Sequence, residues 1–410
     1  MHILLIATYF APDEGAAAIR LTRLAKKLHD RGHQVTVLTA LPSYPQGRIH
    51  EGYRGKWIVT EDREGVRVIQ TWLWATPSPK ISRKLLSQMS FMFTAALRGF
   101  TLPRPDVILI EAQPVFTNLA GVFLSKIKRV PYVLNVSDLW PDHLLSVGAL
   151  TESHPVYRLA RKVVDATYRG ARAIITLTPY LEKVIQGYIG PTDKTRTIYN
   201  GVDLGRFLPD ADGTAFRQQY DLGAKKVVAY IGTLGTAYDF GTMLDAAHHL
   251  VNRPDILFML VGTGSQHQLV RDRLARGDLP NVRWIEWIGY QEIDRVWAAV
   301  DMTFWALHNH ELHRGALASK TYEAFASGVP VTVALEGVVA DILSESGGGF
   351  AVPFGDSAGL AQAITQLVDD AALYQQCSQS ARAYAEQHFD TNKAAEAYEQ
   401  ILLKACSDSA

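Results

Sequence analysis

The feature that most constrains this 410-residue chain is a rhythm. Short, almost unbroken apolar runs alternate with amphipathic helical stretches, stop at a turn-rich junction near residue 200, and then start again. HILLIATYF reads as a strand, APDEGAA as a loop, and AIRLTRLAKKLHDRGH as a helix with Leu21, Leu24, Ala25 and Leu28 on one face, before the next strand, QVTVLTA. VRVIQTW, DVILIEA, PYVLNVS and AIITLT continue the series. Strands apolar on both faces need cover on both, which is the situation inside a parallel α/β sheet. At TIYNGVDLGRFLPDADG the pattern gives way to turn chemistry, and KKVVAYIG, ILFMLVG, NVRWIEW and MTFWAL then restart it with helices between them. The expectation is two doubly wound, Rossmann-like α/β domains, residues 1–200 and 201–385, with residues 386–410 a helix crossing back to the first. A chain that is 48% hydrophobic can fill two such cores.

Bulk properties narrow the setting. Cys377 and Cys406 are the only cysteines, so a disulfide framework is not expected and a reducing, cytoplasmic compartment is. The opening apolar run lacks a basic leader and a small-residue cleavage site, and it reads as a buried strand. No stretch reaches the roughly 18 to 20 apolar residues of a membrane span. Residues 1–200 hold 26 Lys and Arg against 15 Asp and Glu, leaving 15 against 26 for residues 201–410. Such asymmetry suits a first half that faces something anionic, or else an internal dipole between the halves. A nucleic-acid partner is not expected.

Four strings carry a resemblance: YFAPDEGAAAIR after the first strand, DLWPDH at 138–143, YNGVDLGRF at 199–207 and SKTYEAFASGVPV at 319–331. Together they resemble the family-4 retaining glycosyltransferases over essentially the whole chain, and among these the bacterial enzymes that build surface polysaccharide or O-antigen. The resemblance implies the GT-B architecture, with the two domains facing across a cleft that closes by a hinge near Asn200-Gly201. It implies sugar transfer from a nucleotide diphosphate donor, UDP ahead of GDP, to a glycan or polyprenyl-diphosphate-linked acceptor, with no metal and no cofactor.

The residues support this reading one at a time. In SKTYEAFASGVPV a helix is expected to start at Ser319, a favoured N-cap, leaving first-turn amides for phosphate, with Lys320 as an added cation. The resemblance gives Glu323 to the ribose hydroxyls. Two departures from the family pattern stand out: Gly315 replaces a glutamate eight residues before Glu323, and IGTLGTAYDFG lacks the usual Arg and Lys. The diphosphate charge then falls to Lys320, Arg314 and backbone amides around Gly232 and Thr233. Gly264 in VGTGS is a glycine turn where backbone can approach a nucleotide, and Tyr290 in IGY either flanks the base or packs in the core.

In the first half, Gly15 belongs to a loop that enters a helix, and the resemblance implies that main-chain amides there approach the donor phosphates. Arg20, one turn on, either supports acceptor or phosphate charge or is a surface arginine. In NVSDLWPDHLL the carboxyl end of the strand places Asp138 where ligands meet open α/β sheets, as the residue that orients or deprotonates the acceptor hydroxyl, with His143 as the second catalytic candidate. Asp142 is equally readable as a helix N-cap. His308, His310 and His313 have no spacing that matches a zinc site, and Asp210-Ala-Asp212 falls in the interdomain turn region. Lys80, Arg83 and Lys84 precede Leu85, Leu86, Met89, Phe93 and Leu97 at roughly helical spacing, which fits either a helix lying on a membrane surface or packing against the sheet. Two other activities stay open: a nucleotide-sugar 2-epimerase, and a non-catalytic nucleotide-sugar-binding subunit.

Overall fold

The computed structural model describes residues 1–78, 80–146 and 150–407. The chain divides into two compact units, Met1–Tyr199 with Thr391–Ala410, and Asn200–Asp390.

The first unit is built on eight strands: β1 (His2–Ile6), β2 (Gln34–Ala40), β3 (Ile58–Arg63), β4 (Val66–Thr71), β5 (Val107–Glu111), β6 (Tyr132–Val136), β7 (Ala173–Thr176) and β8 (Thr195–Thr197). Their order is β3-β4-β2-β1-β5-β6-β7-β8, parallel throughout except for the antiparallel β3–β4 hairpin. β3, IVTEDR, was invisible to a search for apolar runs because it is an edge strand with no buried residue. One face of the sheet is covered by helix α1 (Ala16–Asp30), whose Leu21, Leu24 and Leu28 pack with Ile3, Leu5, Val35 and Val37. Tyr398 and Leu402 of the final helix, Thr391–Ser407, join the same core. α2 (Ile81–Phe100) buries Phe91 and Ala95 and packs beside α3 (Val115–Lys128), whose Lys128 Nζ donates to the carbonyls of Phe100 and Leu102.

The second unit carries a parallel six-stranded sheet of β9 (Lys226–Ile231), β10 (Ile256–Val261), β11 (Val282–Ile285), β12 (Met302–Ala306), β13 (Val331–Ala334) and β14 (Gly349–Val352), ordered β11-β10-β9-β12-β13-β14. Its central strands are buried from end to end, as their unbroken apolar runs require. The returning segment begins at Thr391 rather than at residue 386. Phe389 holds the chain in the second unit: it is fully buried against the rings of Tyr322, Phe325 and Tyr384, and its carbonyl accepts the Val202 amide at 2.7 Å. No described helix is long and apolar enough to cross a membrane.

Candidate functional site

In the second unit the loops leaving β9 and β10 are sewn together by backbone bonds. The Gly232 amide donates to the Val261 carbonyl at 2.9 Å and the Leu234 amide to Thr263 at 3.0 Å. The Gly232 amide, expected to meet phosphate, is therefore already spent, because the ladder runs one residue past the strand. Gly232 (φ 142°) and Gly262 (φ 137°) take backbone angles that side chains disfavour, and a Cβ on Gly264 would sit 2.5 Å from the Leu234 carbonyl oxygen. Glycine at 264 is required by the approach of two loops. Thr233 offers its carbonyl to the Tyr230 hydroxyl at 2.5 Å.

Beneath this loop sits Lys320. It is the second residue of the helix Ser319–Ala326, whose N-cap is Ala318, with no side-chain cap. Ser319 is thus the first helical residue and not the cap: the Ala318 carbonyl already accepts the Thr321 amide, and an alanine side chain leaves the free amides uncovered. Lys320 is buried, and its Nζ has no hydrogen-bond partner among the described residues. It lies 3.9 Å from the ring centroid of Tyr238, 4.0 Å from that of Tyr230 and 5.5 Å from that of Trp305. The aromatic faces attract the ammonium by about 1–2 kcal/mol. Complete burial acts more strongly and pushes the lysine well below its ordinary pKa, with the Glu323 charge opposing. Its Nζ would be 3.5 Å from a Cβ at Gly232, so Lys320 reaches the very loop that lacks the family's Arg and Lys.

Glu323 is half-buried and fixed, not a solvated helix glutamate. The Trp297 indole donates to its Oε2 at 3.0 Å and the Tyr290 hydroxyl approaches Oε1 at 3.4 Å. Tyr290 opens a 3-10 turn at the surface of the core, with the Arg206 guanidinium 4.7 Å above its ring and bonded to its carbonyl and to Asp294. Arg314 pairs with Glu336 at 2.6 Å and with Glu311 at 3.3 Å, so its charge is balanced within the unit.

The first unit holds a cavity of about 940 Å³ at the carboxyl ends of β1, β2 and β5. Gly15 and Ala16 line it at the start of α1, a helix whose N-cap, Gly15, makes no side-chain bond. Tyr9, Tyr44, Lys84, Gln113, Trp140 and Leu144 contribute further walls. Glu111 closes the base. Its carboxylate takes the Arg20 guanidinium at 2.9 Å, the Asn135 amide at 2.6 Å and the Ser137 hydroxyl. Arg20 also donates to Ser137 at 2.7 Å, so it is an internal residue and not a surface arginine. The Tyr398 hydroxyl completes the network by donating to Asn135 Oδ1 at 2.7 Å. Asp13, buried in the loop after β1, accepts the Ser43 and Tyr44 amides at 2.9 and 2.8 Å. Desolvation raises it to about 6 despite those bonds and the nearby His50.

Asp138 follows β6 half-buried and accepts the Leu139 amide at 3.0 Å. His143 begins the short helix His143–Ser146, and its side chain lies outside the described residues. The Asp142 side-chain oxygens take the Tyr157 hydroxyl at 2.5 Å and Arg161 at 2.8 Å. His310 Nδ1 accepts the Leu312 amide, and His313 Nδ1 donates to the His308 carbonyl, which accounts for two of the three histidines locally. Asp212 accepts the Thr214 amide at the exposed start of a helix. Sequence reasoning missed Glu111, Asp13, Trp140, Trp297 and the three rings around Lys320. Glu111 looked like an ordinary strand end, Asp13 like a loop carboxylate and the rings like core aromatics.

Comparison with known proteins gives the same assignment to each unit. Residues 15–201 match the model of a glycosyl transferase 4-like domain, and residues 212–384 that of glycosyl transferases group 1. A putative colanic acid biosynthesis glycosyl transferase, WcaI of Escherichia coli K12, is 24% identical over 301 residues, covering 72% of this chain and 73% of that protein. A GDP-mannose-dependent alpha-mannosyltransferase of Mycobacterium tuberculosis is 22% identical over 383 residues, covering 91% and 90%. The structure of Anabaena HepE in complex with UDP and glucose superposes with a TM-score of 0.73 at 20% identity, covering 98% of each chain. With both domain models matched and the GT-B fold present, the chain belongs to the family-4 GT-B glycosyltransferases.

Proposed function

We propose that this glycosyltransferase is a retaining, metal-independent enzyme that takes its sugar from a UDP-sugar and passes it to a lipid-linked glycan in cell-surface polysaccharide synthesis, at the inner face of the membrane. The observation that carries the donor half is Lys320, a buried lysine with no hydrogen-bond partner among the described residues, at an uncapped helix start and one turn from a fixed Glu323. A diphosphate fits such a cage because it restores to the lysine the charge partner that burial removed. Glu323, held by Trp297, keeps lone pairs for ribose hydroxyls.

In the reaction the acceptor oxygen forms a bond to the anomeric carbon as the bond to the diphosphate oxygen breaks. The acceptor proton passes to that departing oxygen on the same face of the sugar, so configuration is retained. Lys320 and the helix amides stabilise the leaving diphosphate, the role a divalent ion plays elsewhere. Asp138 orients the acceptor hydroxyl. The preference for UDP follows the HepE complex, the polysaccharide context follows the WcaI likeness, and the lipid-linked acceptor follows the basic first half.

Thermal shift with UDP, GDP and ADP, followed by transfer from labelled donors with and without EDTA, tests the reading. Selective stabilisation by UDP, EDTA-resistant transfer and a product of unchanged anomeric configuration are expected. Stabilisation by GDP alone, or turnover abolished by EDTA and restored by one divalent ion, would overturn the corresponding part.

A further inference from the structure

The two faces of α2 have different surroundings. Phe91 and Ala95 point into the core, while Leu86, Phe93, Leu97 and Phe100, which fall on one stripe by their spacing, point out. Phe93, Leu97 and Phe100 are 63%, 74% and 58% exposed. On α3, packed alongside, Phe123 and Ile127 are exposed as well. Single exposed apolar residues are ordinary, but a group of six on two adjoining helices marks an interaction surface.

The charge around it is one-sided. Residues 67–105 contain six Lys or Arg and no Asp or Glu, and residues 112–137 contain Lys126, Lys128 and Arg129, again with no acid. Lys80, Arg83, Lys84, Lys126 and Arg129 are exposed. We propose that the α2–α3 face docks on an anionic lipid bilayer, with the phenylalanine and leucine side chains in the headgroup–acyl boundary and the basic side chains on lipid phosphates. A second copy of the chain is a poor occupant, because pairing two such faces opposes like charges. The docking deepens the lipid-linked half of the proposed function. The start of α2 also borders the cavity through Lys84, Leu85 and Gln88, so a docked α2 brings the cavity to the bilayer surface, within reach of a head group carried on a lipid.

Co-sedimentation with vesicles of phosphatidylglycerol and phosphatidylcholine, against phosphatidylcholine alone, tests the docking. The full chain should sediment with the anionic vesicles and be released by salt. The combined change Phe93→Ser, Leu97→Ser and Phe100→Ser should weaken binding by about a hundredfold or more, since each inserted side chain is worth roughly tenfold. Lys80→Ser, Arg83→Ser and Lys126→Ser together should weaken it by at least about tenfold. Unfolding temperatures of both variants should stay near the wild-type value, because every substituted side chain is exposed. Equal affinity for neutral vesicles, undiminished binding by the apolar variant, or a dimer that the serine changes dissociate would each overturn the docking. Transfer to a short, water-soluble acceptor should be unchanged in the apolar variant. Vesicle binding in a protein that transfers no sugar would leave the docking standing and sink the proposed function instead.

Discussion

The anion site of the second unit and the cavity of the first handle polar groups in contrasting ways. Around Lys320 the chain builds a buried site from strand ends and a helix start: three rings, a lysine Nζ with no hydrogen-bond partner among the described residues, and a carboxylate pinned by an indole. At the base of the 940 Å³ cavity the carboxylate is already satisfied, Glu111 by Arg20, Asn135 and Ser137, and the walls come from loops and from one flank of α2. A site with an unsatisfied charge is fitted to a ligand of one charge type. A wide cavity whose buried carboxylate is already paired sets shape, and loops can reshape it without disturbing the sheet. The contrast predicts tight, narrow recognition of the donor and adjustable recognition of the acceptor.

The sharpest way to break that contrast is Lys320→Met. Replacing the buried lysine, whose Nζ has no hydrogen-bond partner among the described residues, with an apolar side chain of similar length should raise stability by roughly 1–3 kcal/mol while lowering UDP affinity by about a hundredfold or more. Calorimetry and thermal unfolding on the same sample read both. A variant that binds UDP normally would remove Lys320 from the donor site. The wild type should also take up a proton when UDP binds, because its lysine is held below the ordinary pKa until a phosphate arrives. UDP affinity therefore falls as pH is raised, and heats of binding in buffers of different ionisation enthalpy detect the proton.

Glu323→Ala should come next, lowering UDP affinity by roughly tenfold to a hundredfold, as expected for losing charged hydrogen bonds worth about 1.5–3 kcal/mol each. Trp297→Phe keeps the ring and loses the indole donor, so its effect should be smaller and in the same direction. If it has none, the glutamate's orientation does not depend on Trp297.

On the acceptor side, Asp138→Asn should lower kcat by about tenfold and leave UDP affinity unchanged, because the carboxylate is assigned to the acceptor hydroxyl. Equal losses in both would move Asp138 to the donor and blur the distinction between the units.

The last effect concerns Asp13 and is on stability alone. A carboxyl raised to about 6 in the fold contributes stability that is full below the unfolded value near 4 and is lost as pH rises through 6. Asp13→Asn keeps an oxygen for the Ser43 and Tyr44 amides and removes the titration. Its stability should be flatter between pH 4 and 6, by on the order of 1–3 kcal/mol relative to wild type. Parallel profiles for the two proteins would show that the loop is wet.

What the sequence determined alone is what short-range periodicity encodes. Alternating apolar runs and amphipathic helices gave two α/β sheets and the turn cluster near Asn200 gave their junction, whereas Lys320 and Glu323 were singled out by the family resemblance of SKTYEAF and not by period. β3 escaped because a half-exposed edge strand needs no apolar run, and Thr391 could not be picked as the point of return because Phe389 is anchored by rings far away in sequence. Only the tertiary structure brought Arg20 to Glu111, Tyr398 to Asn135, and Tyr230, Tyr238 and Trp305 to Lys320. It alone chose which apolar stripe of α2 faces water, since Phe91-Ala95 and Phe93-Leu97 repeat with the same helical spacing. Local period reports that a residue has a face. Which face is buried depends on neighbours supplied by distant parts of the chain.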